Sequence, residues 1–192
     1  MTHFWWVRHG PTHQRNFVGW RDVPADLSDA DLIARVSDYL PQDAVVISSD
    51  LSRAITTADV IQDRRERLPH DPRLREFNFG AWDGLKFDEV AKRDPELSRA
   101  FWENPGDLSA PDGESWNDVA NRVNTAVDHL IQTQPATHIV AVAHIGVIMT
   151  QIQKVVGNDP YKAMSFEIDN FSITDLRYSD GQWFRGEINH LP

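Results

Sequence analysis

The stretch "HFWWVRHGPTHQRN", residues 3–16, opens as an apolar run and changes character at Arg8. His3–Val7 reads as a short strand of the kind a protein core covers. At its end an Arg and a His stand side by side, followed by Gly10. Two ionisable side chains at the end of a buried strand are costly unless something there needs them. That pairing asks which other chain segments end in the same way.

Working outward, the chain alternates strand and helix. A turn-rich loop, "GWRDVPADLS", leads to a helix capped by Ser28, running to about Leu40 and stopped by Pro41. "AVVIS" (44–48) is an apolar run suited to a doubly covered strand. The next helix carries Ile55, Ala58 and Ile61 or Val60 on its apolar side. From about Phe77 to Gly113 the chain is rich in Gly, Pro and Trp, holds two short helical pieces, and reads as a small insertion over the C-terminal edge of the sheet. A long helix over Ser115–Gln134 follows, with Val119, Val123, Ala126, Val127, Leu130 and Ile131 at helical spacing. "THIVAVA" (137–143) is a second buried strand, and a helix from about Gly146 to Val156 comes after it. "FSITDLRYS" and "QWFRGEIN", joined by "DG", form a closing antiparallel hairpin. The expected class is α/β, a three-layer sandwich in which helices flank a mostly parallel sheet, as one domain over residues 1–192 with a cap-like insertion at about 77–113.

Composition narrows the function classes. The 192 residues carry a net charge of −10, which disfavours binding to nucleic acid or to an anionic membrane. No cysteine is present, which removes disulfides and thiolate metal sites. No signal peptide and no membrane-length apolar run is read, so a cytoplasmic location is expected. The Trp residues of the 77–113 stretch look exposed and hint at a homodimer interface.

In open parallel sheets, ligands bind beyond the carboxyl ends of the strands. After the first strand stand Arg8 and His9. After the second come Ser48, Ser49 and Asp50, with Arg53 one turn into the helix, and after the third comes His144. Two His and two Arg therefore converge on one edge. Arginine forks match phosphate oxygens, and a neutral imidazole can attack phosphorus. Arg8, Arg53 and a protonated His144 would neutralise the equatorial oxygens without a metal. An acid for the leaving oxygen is also needed, and Glu76 in "LREFNFGAWDG" is the candidate among Glu66, Asp83, Glu89 and Glu114 nearby.

"VRHGPT", "SSDLSRAITTA", "LREFNFGAWDGL" and "VAVAHIGVI", in this order, resemble the histidine phosphatase superfamily in its phosphoglycerate mutase-like branch. The resemblance implies that His9 becomes phosphorylated and that Arg8, Arg53 and His144 hold the phosphoryl group. It further implies that Glu76 is proton donor and then base, that no metal or organic cofactor takes part, and that the partner is a small phosphorylated substrate. Departures are visible: Pro11 stands where many relatives have Glu, and Arg15, with Asn16 beside it, where many have Asn. "HIG" replaces "HGG" at the last block, though Ile145 still offers its backbone N–H. Thr12, Arg15 and Asn16 are candidate substrate contacts. Trp82, Trp102 and Trp116 read either as packing for the insertion or as a stacking surface. A phosphatase leads, while a phosphoglycerate mutase and a non-catalytic phospho-ligand-binding module stay open.

Overall fold

The computed structural model describes residues 1–192. In chain order the elements are β1 (Thr2–Arg8), α1 (Ala30–Tyr39), β2 (Val45–Ser48), α2 (Ser52–Ile61), β3 (Glu66–Arg67), α3 (Phe87–Arg93), α4 (Pro95–Glu103), α5 (Trp116–Thr133), β4 (His138–Ala143), α6 (Ile145–Ile152), α7 (Pro160–Met164), β5 (Ile173–Ser179) and β6 (Gln182–Arg185). The strands form one sheet in the order β3-β2-β4-β1-β5-β6. The first four are mutually parallel, and β5 and β6 are antiparallel additions.

The strand period of two sorts the core into two halves. Phe4, Trp6, Val45, Ile47, Ile139 and Ala141 pack under α5 and α6. Val7, Val46, Val140 and Val142 face the other way, toward Val36, Ala54, Ala58 and Ile61 of α1 and α2. Both faces of the central strands are therefore dry, giving the three layers expected from the sequence. No helix is long and apolar enough to cross a membrane.

Local details refine several boundaries. Asp29, not Ser28, caps α1, accepting from the Leu32 amide at 3.0 Å. The buried side of α2 holds Arg53, Ala54, Thr57, Ala58 and Ile61, with Val60 exposed, so the apolar stripe is shifted by one residue from Ile55. Two of those buried positions are polar, which is why periodicity misplaced it. Helix α6 ends at Ile152 and tightens into a 3-10 turn over Gln153–Val155. Helix α5 is as expected, with Ser115 and Asp118 forming a reciprocal capping box. Asp180 and Gly181 both adopt positive φ (53° and 81°), the turn geometry that suits an Asp-Gly hairpin.

Residues 77–113 contribute Phe77, Trp82, Val90 and Phe101 to the α5-side core. Trp82 and Trp116 are buried and Trp102 half-buried, so the first two fill the interior.

Candidate active site

Strand register decides what meets at the sheet edge. Arg8 pairs with Ala143 and Ser48 with Val142, so β1, β2 and β4 end level with one another. The next amides extend the ladder: His9 donates to the Ala143 carbonyl at 3.1 Å. His9 and His144 thereby stand side by side, their ring centroids 5.1 Å apart.

His9 is held from several sides. Its Nδ1 lies 2.7 Å from the Gly10 carbonyl. A carbonyl can only accept, so Nδ1 carries the proton and Nε2 keeps a free lone pair. The Asn170 amide holds the His9 carbonyl, and the Gly10 amide donates to Thr57 of α2. A side chain at residue 10 would press into Phe171, the Asp26 carbonyl and Leu27, so this glycine serves close packing. Burial, joined by the Arg53 and Arg8 charges, lowers the His9 pKa to about 3 against an opposing effect of the Gly10 contact. His144 is likewise pushed well down by burial first, then by Arg53, His9, Arg122 and Arg8. The protonated imidazole expected at residue 144 is thus disfavoured, by burial first and then by the neighbouring charges.

Arg53 is 1% exposed at the start of α2. Its Nη1 donates to the Arg21 carbonyl (3.0 Å) and its Nη2 to that of Gly19 (2.7 Å). Asp22 from the same loop accepts from the Ser52 amide at 2.7 Å. The loop after β1 is thus tied to the first turn of α2. Arg53 makes no pair with Asp50 or Asp59, which bind Arg75 and Arg67 instead. Arg8 donates from Nη1 to the Ile168 carbonyl at 2.6 Å. Arg53 Nε, Arg8 Nε and both ring nitrogens of His144 are buried without a protein partner. Orphaned buried donors on several residues at one spot are what an anion would satisfy.

Glu76 is 4% exposed, its two oxygens accepting from the Phe77 amide (2.9 Å) and the Gly146 amide (3.2 Å). Burial raises its pKa, outweighing both amides and the Arg53 and Arg8 charges. Any Cβ at residue 146 would overlap Glu76 Oε1 and the Phe77 ring, so the glycine of "HIG" makes room for the acid. The other carboxylates are engaged elsewhere: Asp83 with Arg21, Glu89 with the Lys86 amide and Glu114 with Arg122. Glu66 is exposed on the edge strand β3.

Arg122 was not singled out by the sequence. Its guanidinium donates to the carbonyls of Arg73 (2.8 Å), Arg75 (2.7 Å) and Glu76 (2.8 Å) while pairing with Glu114. Trp20 Nε1 reaches the Glu76 carbonyl as well, at 2.8 Å. The available signal was position: residue 122 lies three after Val119 and four before Ala126, on the margin of the buried stripe of α5.

A cavity of about 610 Å³ opens from Arg8, His9, Arg53 and Glu76. Thr12 and Asn16 line it, with the Asn16 amide donating to the Gly84 carbonyl at 2.8 Å. Arg15 does not line it and is exposed; Gln14, unnoticed in the sequence, takes that place. Ser48, Ser49 and Asp50 are structural, bonded to His70 and Arg67, to the Leu51 amide, and to Arg75 respectively.

The depressed pKa of His9 has a consequence for stability. Between its ordinary value of 6.5 and its folded value of about 3, the unfolded chain binds a proton that the native state refuses. The associated stability is present above 6.5 and is lost as pH falls through that window. Denaturant unfolding at pH 8 and pH 5 should therefore show the wild type losing about 2 kcal/mol more than His9→Asn. Equal losses in both proteins would contradict a neutral buried His9.

Known proteins resemble this chain in sequence and in fold. The family model described as histidine phosphatase superfamily (branch 1) matches residues 4–190. "Bifunctional protein Rv2228c" of Mycobacterium tuberculosis is 34% identical over 192 residues, covering 91% of this chain and 50% of its own length. The chain thus spans about half the length of that curated relative. "Phosphoglycerate mutase-like protein 4" of Arabidopsis thaliana is 31% identical, covering 96% of this chain and 85% of that protein. The solved mycobacterial glucosyl-3-phosphoglycerate phosphatase Rv2419c, complexed with VO3, superposes with a TM-score of 0.85 at 25% identity, over 98% of this chain and 99% of that one. Matched from its first strand to its last residues, this chain belongs to the histidine phosphatase superfamily, branch 1.

Proposed function

We propose that the protein is a metal-independent phosphatase that hydrolyses a small phosphomonoester through a phosphorylated His9. The observation that carries this reading is the convergence of unpartnered buried N–H groups of Arg8 and Arg53, with His144, beside a His9 whose Nε2 is free. In the first step Nε2 attacks phosphorus and the bond to the ester oxygen breaks. Glu76, whose protonated form burial favours, gives its proton to the departing alkoxide. In the second step water attacks phosphorus while the Glu76 carboxylate takes its proton. The P–N bond breaks, its electron pair returns to Nε2, and inorganic phosphate leaves. Arg8 and Arg53 neutralise the equatorial oxygens throughout, and the arriving dianion favours proton uptake by His144. Residues 77–113 act as the cap-like insertion that walls the site.

The test is to release phosphate from p-nitrophenyl phosphate in the presence of a chelator, quench, and map the phosphoryl adduct. An acid-labile, alkali-stable adduct on His9 is the expected result. Turnover with the adduct on another residue would overturn the mechanism. Isomerised product that depends on a bisphosphoglycerate primer would instead establish a mutase.

A further inference from the structure

The cavity has two unlike ends. Arg8, His9, Arg53 and Glu76 are the only charged or titratable side chains lining it, and all four belong to the phosphoryl end. The remainder is apolar and largely aromatic, with Phe17, Phe79, Phe87, Phe101, Trp102 and Met149 among its walls. These rings support one another: Phe17 stacks on Trp102 at 6.1 Å and meets Phe87 at 4.4 Å, and Phe101 meets Trp102 edge-on at 4.8 Å. Toward solvent, Phe87 (62% exposed) and Leu108 (41%) leave apolar surface in water beside the cavity. Large side chains of this kind at an opening are suited to being covered by an apolar ligand.

The neighbouring cations do not reach in. Arg21 is paired with Asp83, Arg75 with Asp50, and Arg15 stands outside the cavity lining. A carboxylate or second phosphate on the alcohol part of a substrate would lose its hydration against aromatic rings and gain no counter-charge. Polyhydroxylated alcohols would find only Thr12, Gln14 and the Asn16 amide that already serves Gly84.

We infer that the substrates are monoesters of uncharged, apolar alcohols, aromatic or bulky aliphatic, and that phosphoglycerates and sugar phosphates are disfavoured by the missing cation and the aromatic wall. This inference rests on the phosphatase reading above. Three esters of primary alcohols separate the cases, because their leaving oxygens make similar demands for a proton: 2-phenylethyl phosphate, glycerol 3-phosphate and 3-phosphoglycerate. The kcat/KM for the phenylethyl ester should exceed that for 3-phosphoglycerate by about 100-fold or more, the scale on which an apolar pocket discriminates. Trp102→Ala and, at an exposed position that folding tolerates, Phe87→Ala should each narrow the preference for phenylethyl over glycerol ester by at least about fivefold. Hydrolysis of 3-phosphoglycerate at a comparable or higher kcat/KM, or a preference unmoved in both variants, would overturn the inference while leaving the phosphatase standing. Failure to hydrolyse any of the three, or p-nitrophenyl phosphate, would remove the phosphatase reading itself.

Discussion

His9→Asn should lower phosphate release from every monoester by at least about 10⁴-fold, the loss expected when a nucleophile is deleted from an otherwise intact site. Asparagine retains an N–H that can reach the Gly10 carbonyl, so the local backbone keeps its partner while the attacking lone pair is lost. Arg8, Arg53 and His144 stay in place, so inorganic phosphate should still bind the variant, measured by calorimetry, within about tenfold of the wild type. Substantial turnover by the variant would mean that water attacks phosphorus directly or that another residue is the nucleophile. Loss of both binding and turnover would mean that His9 mainly builds the site.

Glu76→Gln should divide substrates by their leaving group. For 2-phenylethyl phosphate the leaving alkoxide is strongly basic, and kcat/KM should fall by about 10² to 10⁴-fold, the range contributed by a positioned proton donor. For p-nitrophenyl phosphate the leaving phenolate needs no proton, and kcat/KM should fall less than about tenfold. The second step still needs a base, so phosphorylated His9 should accumulate and p-nitrophenol should appear as a burst. Because burial raises the Glu76 pKa, the wild type should keep its proton donor to higher pH than an ordinary carboxyl would. The alkaline fall in kcat/KM for the alkyl ester should accordingly be absent from the variant. Equal losses for both esters would assign the acid role elsewhere.

The parts of this site that could be read from sequence are those set by strand ends. Arg8, His9 and His144 interrupt apolar runs, and parallel pairing brings such interruptions to one edge. Arg53 was reached by its place one turn past the end of the second strand, and Glu76 by the need for an acid that histidine and arginine leave unmet. The parts that escaped depend on tertiary packing. Ser28 and Asp29 are equally good caps on paper, and only the entry path of the chain chooses Asp29. Gln14 and Arg15 are adjacent in an irregular loop whose direction no periodicity records. The tryptophans of the 77–113 stretch looked exposed because their neighbours are polar and Gly-rich, yet Trp82 lies against Phe101 and donates its indole N–H to Asp94. Arg122 looked like any helix-surface arginine because, Glu114 aside, its partners are backbone carbonyls, which leave no trace in residue identity.

Those carbonyls have a wider meaning. One guanidinium grips residues 73, 75 and 76 from helix α5, so the acid's place in the site is fixed just before the aromatic wall begins. On the proposed phosphatase reading, substitutions within residues 87–108 should therefore change the choice of alcohol without moving Glu76.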